Sequence, residues 1–127
     1  MLLIRKPRML FGIVLLGLLL PTCTATSIYS PLLRAEPSVD AALTRAPRTL
    51  RLYYAAPPDV DQSNVTLIGP TGEHQLRGLH TMASDDLMIE IMDPVTEGEY
   101  TVRWTTVIGD DPVVYEGSYN FTVRTDQ

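Results

Sequence analysis

Residues 98–123 read GEYTVRWTTVIGDDPVVYEGSYNFTV, and the pattern of this stretch decides the fold. Tyr100, Val102, Trp104 and Ile108 fall on one face of an extended chain, while Glu99, Thr101, Arg103 and Thr105 fall on the other. That is the period-two alternation of a half-buried strand. A second arm repeats it: Val113, Tyr115, Tyr119, Phe121 and Val123 share a face, with Gly117 in register, against Glu116, Ser118, Asn120 and Thr122. Between the arms stands Gly109-Asp110-Asp111-Pro112. Glycine accepts positive φ, aspartate bonds its own backbone and proline fixes φ, so these residues reverse a chain. The stretch predicts a β-hairpin carrying most of the aromatic residues.

Outward from the hairpin the same alternation recurs in short pieces. Leu87, Ile89 and Ile91 alternate with Met88, Glu90 and Met92, and Leu50, Leu52 and Tyr54 alternate with Thr49, Arg51 and Tyr53. Asn64 to Ile68 is a further strand, with Val65 and Leu67 on one face, and Gly69-Pro70-Thr71-Gly72 turns it into a weaker strand, Glu73 to Leu79, as a second hairpin. Thr26 to Pro47 carries Pro31, Pro37 and Pro47 with no helical spacing of its leucines, and is expected to run extended as an edge segment packed on the sheets. About seven short strands with turn signals every eight to twelve residues predict an all-β fold. The class is an antiparallel β-sandwich of Greek-key, immunoglobulin-like or cupredoxin-like type, with Tyr100, Trp104, Tyr119 and Phe121 meeting Leu50, Leu52, Leu87 and Ile89 in one core.

The N-terminus reads as targeting. Arg5, Lys6 and Arg8 precede an apolar run from Met9 to Leu20, too short to span a bilayer and suited to an export signal. Two processing routes fit: cleavage after Ala25, giving a signal of residues 1–25 and a domain of 26–127, or lipidation of Cys23, since Leu20-Pro21-Thr22-Cys23 resembles a lipobox. The expected location is periplasmic, extracellular or cell-surface. Cys23 is the only cysteine, so no internal disulfide is available and the core must stabilise the domain alone. Without the three n-region cations the chain holds seven Arg against fifteen Asp plus Glu, a net charge of −8. Nucleic-acid phosphates would be repelled. Catalysis finds no support: no Ser-His-Asp or Cys-His arrangement and no His-Glu-x-x-His is present, and Asp110-Asp111 reads as turn chemistry, so the chain is read as a non-enzyme.

With the strands placed, the sequence resembles the CopC family of copper-handling domains. Leu32, Pro37, Ala41-Ala42-Leu43 and Ala46-Pro47 before Leu50-Arg51-Leu52 follow the family's opening. Gly98, Tyr100, Val102 and Trp104 follow its Gly-x-Tyr-x-Val-x-Trp strand, Asp110 its turn, and Gly117, Tyr119 and Phe121 its last strand. The resemblance implies an exported β-sandwich that binds or delivers copper in resistance or homeostasis, with a membrane copper-transport partner. In the family a mature N-terminal His and the His of the turn, helped by the Asp, hold Cu(II), whose tetragonal preference suits imidazole and carboxylate. Here Asp110 matches the Asp, Pro112 takes the place of the turn His, and Tyr29 or Pro31 sits where the first His would be, so most of that set is absent.

Some relatives also carry a Met- and His-rich loop for Cu(I), since thioether sulfur is a soft donor. The corresponding loop here runs from Pro70 to Gln75, where His74 matches and the methionines do not. His80, Met82, Met88 and Met92 lie further along as a displaced soft-metal set; the competing reading has the methionines filling gaps in packing. The expectation is weak Cu(II) binding at Asp110, with copper as Cu(I) at His74 or at the His80 set. The alternative is a metal-free structural or protein-interaction sandwich at the cell envelope.

Overall fold

The computed structural model describes residues 30–110 and 113–125. The strands among them are, in chain order, β1 (Leu32–Glu36), β2 (Ala42–Leu43), β3 (Thr49–Tyr54), β4 (Asn64–Gly69), β5 (Gly72–Glu73), β6 (Leu76–His80), β7 (Asp86–Ile91), β8 (Gly98–Val107) and β9 (Val114–Val123). The seven that exceed two residues correspond to the seven read from the sequence. They form a four-stranded sheet, β1-β3-β7-β6, and a five-stranded sheet, β2-β9-β8-β4-β5. Every pairing is antiparallel except that of β2 with β9. No helix among the described residues is long and apolar enough to cross a membrane. The signal segment and Cys23 lie outside the described residues.

The central hairpin forms in the expected register, with Tyr100 opposite Phe121, Val102 opposite Tyr119 and Trp104 opposite Gly117. Alternation puts Tyr100, Val102, Trp104, Tyr119, Phe121 and Val123 inside, where they meet Leu50, Leu52, Leu87 and Ile89 of the other sheet in one core. Tyr100 stacks on Phe121 at 5.3 Å between ring centroids, and Trp104 meets Tyr54 edge-on at 5.4 Å. Such geometries satisfy the ring quadrupoles as well as burying area. The Tyr100 hydroxyl also donates to the Thr96 carbonyl at 2.7 Å, tying the turn before β8 to the core. Two glycines seat the large rings of β8: a Cβ on Gly117 would stand 2.6 Å from Cζ2 of Trp104, and one on Gly69 would collide with the Tyr100 ring.

Two expectations are corrected. Glu73 to Leu79 is not one strand hairpinned with β4. Only Glu73 and Gly72 pair with Ile68 and Gly69, after which the chain crosses to the other sheet and β6 pairs with β7. Turn chemistry at Gly69–Gly72 is strong enough to reverse the chain, but alternation does not reveal which sheet a strand joins. The N-terminal edge segment likewise divides, β1 lining β3 and β2 lining β9.

Candidate metal centre

The elements that match the family's Cu(II) site converge at one end of the sandwich. The Pro31 carbonyl accepts the Ala55 N–H at 2.9 Å, and the Pro57 carbonyl accepts the Gly109 N–H at 3.2 Å. Residues 55–57 thus join the start of β1 to the turn after β8. Asp110 is exposed there, whereas Pro31 is buried and offers no side-chain donor. Tyr29, Asp111 and Pro112 lie outside the described residues. Among the described residues no three His, Cys, Asp or Glu side chains gather as a metal ion would need. The described part of this end supplies one carboxylate, fewer donors than a tetragonal ion such as Cu(II) takes.

The His74 side chain lies at the opposite end, where the chain crosses between sheets. It is buried, tilted against Tyr100 at 5.5 Å between ring centroids, with Nδ1 3.8 Å from Oδ2 of Asp93 and without a hydrogen-bond partner for Nδ1 among the described residues. Oδ2 of Asp93 is engaged by the Gln75 N–H at 3.1 Å. His74 and Met92 line a groove of about 680 Å³ together with Glu73, Gln75 and Arg77. The Met92 N–H donates to the Gln75 carbonyl at 2.8 Å, which fixes Met92 beside this end of β6.

His80 sits at the far end of β6. The register of β6 on β7 shifts between Arg77, opposite Glu90, and His80, opposite Met88, so β6 carries one extra residue. Gly78 supplies the conformation required, at φ +79°. Because residues paired across strands share a face, His80 and Met88 project together from the outer face of the four-stranded sheet. Asp86 projects from that face as well, yet is fully buried, because the chain folds back over it. The N–H groups of Met82 and Ala83 both donate to its Oδ1 at 2.9 Å, and Arg51 Nε donates to its Oδ2 at 2.7 Å. Burial works to raise the Asp86 pKa, but the two amides and the guanidinium outweigh it and hold the carboxyl below its usual value.

The structure therefore brings His80 and Met88 to one face, ties the Met82 backbone to Asp86 beside them, and places His74 with Met92 elsewhere. Asp86 and Gly78 arrange the first group, and Gly78 lies inside the strand expected over Glu73 to Leu79. A glycine inside a strand pattern is itself a signal for a bulge.

A family model described as the CopC domain matches residues 32–124. The fold is similar to that of CopC from Methylosinus trichosporium OB3b, at 23% identity over 75% of this chain and 93% of that one, with a TM-score of 0.66. It is also similar to PcoC, a methionine-rich copper resistance protein from Escherichia coli, at 25% identity over 73% of this chain and 96% of that one, with a TM-score of 0.65. No curated protein matches the sequence.

Proposed function

The chain belongs to the CopC domain family, and on that premise we propose that it handles copper outside the cytoplasm and carries the metal as Cu(I) rather than at the family's Cu(II) site. The observation that supports this is the distribution of donors. Both histidines, and every methionine beyond Met9, lie between His74 and Met92, on β6, β7 and their flanks. Asp110 is the single family-matched donor at the other position, and one carboxylate does not make a tight Cu(II) site. Imidazole and thioether together suit a soft monovalent ion. A copper transporter in the membrane is the partner this role calls for, and export through the signal of residues 1–25 would deliver the domain to it, with or without a lipid on Cys23.

Titration of the purified chain, lacking residues 1–25, with Cu(I) against a competing chelator tests the reading, with Cu(II) run in parallel. Tight Cu(I) binding that Asp110→Asn leaves unchanged is expected, with Cu(II) bound only weakly. Tight Cu(II) binding lost in Asp110→Asn would overturn it in favour of the family site. Failure to bind either ion would leave the metal-free interaction sandwich.

A further inference from the structure

We propose that the Cu(I) site is built on the outer face of the four-stranded sheet from the imidazole Nε2 of His80 and the thioethers of Met88 and Met82. This rests on the copper-handling reading and names the residues that carry it. Three independent features of the fold place these donors together.

The first is the bulge. With regular pairing after Arg77 and Glu90, Leu79 would stand opposite Met88 and His80 would turn inward opposite Leu87. The extra residue instead lets Leu79 pack against the core and sets His80 beside Met88. Directly opposed residues have Cβ atoms about 4.5–5.5 Å apart, within reach of one shared ion. The second is the histidine tautomer. Nδ1 of His80 lies 2.5 Å from the Gly78 carbonyl, which only accepts, so Nδ1 carries the proton. That leaves Nε2 as the ring nitrogen open to a metal, the arrangement in which a carbonyl orients a metal-binding imidazole.

The third is the Asp86 anchor. Its carboxylate holds the Met82 and Ala83 amides over the outer face, two residues along β7 from Met88. The Met82 side chain is 61% exposed there, so it fills no gap in packing. Both Asp86 oxygens are already engaged, and Arg51, opposite Met88, adds a fixed positive charge. The remaining donors are neutral, one nitrogen and two sulfurs, which favours a monovalent soft ion and disfavours a hydrated dication. Met92 and His74 have no part in this site, and Asp86 acts as a positioning residue.

X-ray absorption of the Cu(I)-loaded chain lacking residues 1–25 should show one nitrogen and two sulfur neighbours. Cu(I) affinity should fall by about tenfold or more in each of His80→Ala and Met88→Leu, and in Met82→Leu. His74→Ala and Met92→Leu should leave it unchanged. Asp86→Asn, which loosens the loop, should weaken Cu(I) binding and reduce the sulfur signal while His80 remains bound. His80 and Met82 are exposed and Met88→Leu conserves volume, and circular dichroism on each variant verifies the fold. If the unsubstituted chain binds Cu(I) and the His80 and Met88 variants bind it equally well, this site is wrong and the copper reading stands. If the unsubstituted chain binds no Cu(I), both are wrong.

Discussion

Replacing Gly117 by alanine tests the packing of the core at its tightest point. A Cβ built there meets Cζ2, Cε2 and Nε1 of Trp104 at 2.6, 2.9 and 3.1 Å. Non-bonded carbons prefer about 3.5–4.0 Å, so the ring must retreat by close to 1 Å. It has nowhere to go: Trp104 is 3% exposed, and Tyr54, itself 1% exposed, abuts it edge-on. Forcing one methyl into a filled core costs about 1–3 kcal/mol. Against that, alanine restricts the unfolded chain and returns about 0.4–1 kcal/mol where the backbone conformation suits it. The net expectation is a loss of about 1–2 kcal/mol. Urea unfolding followed by tryptophan fluorescence reads it directly, because Trp104 is the only tryptophan and its emission should also shift in the folded variant. Ser118→Ala, on the exposed neighbour, serves as the control and should stay within about 0.5 kcal/mol of the parent. A Gly117→Ala protein as stable as the parent, with unaltered emission, would mean that the indole does not rest on this glycine.

Two titrations should follow from buried groups. Asp86 has a folded-state pKa below its unfolded value, so its contribution is complete above the unfolded pKa of about 4 and fades as pH falls through the folded pKa. Melting temperatures of the parent and Asp86→Asn should therefore differ near neutrality and converge in acid; parallel curves would refute the assignment. Tyr54 and Tyr119 behave in the opposite sense. Burial raises both phenols, whose hydroxyls find no hydrogen-bond partner among the described residues, and proximity to Tyr119 adds to the shift at Tyr54. Their contribution to stability is intact below the unfolded value of about 10 and declines above it, so their phenolate absorbance should appear only together with loss of the near-ultraviolet circular dichroism. Ionisation of every tyrosine in a still-folded protein would contradict their burial.

The hairpin was legible because two long arms alternate cleanly and the turn between them is rich in Gly, Asp and Pro. The same is true of β3 and β7, whose inward leucines and isoleucines leave little choice of face. Two features escaped because they depend on partners remote in sequence. The chain changes sheets between Glu73 and Leu76, and nothing in the local pattern distinguishes that crossing from a continuous strand. His74 falls within it and is buried as a result. On β6, parity places Gly78 and His80 on one face, but the bulge at Gly78 resets the count and brings His80 to Met88. Met92 shares the parity of Met88, yet β7 ends at Ile91, so parity ceases to predict its position. Asp86 went unrecognised because an aspartate beside Asp85 in a polar loop looks solvated until Arg51 and the Met82–Ala83 amides are seen around it.

The parallel pairing of Ala42 with Thr122 and Leu43 with Val123 has a temporal meaning. A ribosome makes the second partner long after the first, and of the described strands β8 and β9, which form the hairpin, are made after the others. Every strand of the four-stranded sheet is complete by Ile91. A nascent chain at that stage can hydrogen-bond this sheet, but β4 still lacks its partner β8 and offers only Val65 and Leu67, so Leu50, Leu52, Leu87 and Ile89 are left largely uncovered. Such half-built sandwiches have exposed apolar surface and unpaired edges, the features that make partly folded chains aggregate. A product ending at Ile91 would keep that surface exposed, whereas one that reaches Val107 already adds β8, with Tyr100, Val102 and Trp104, to the cover.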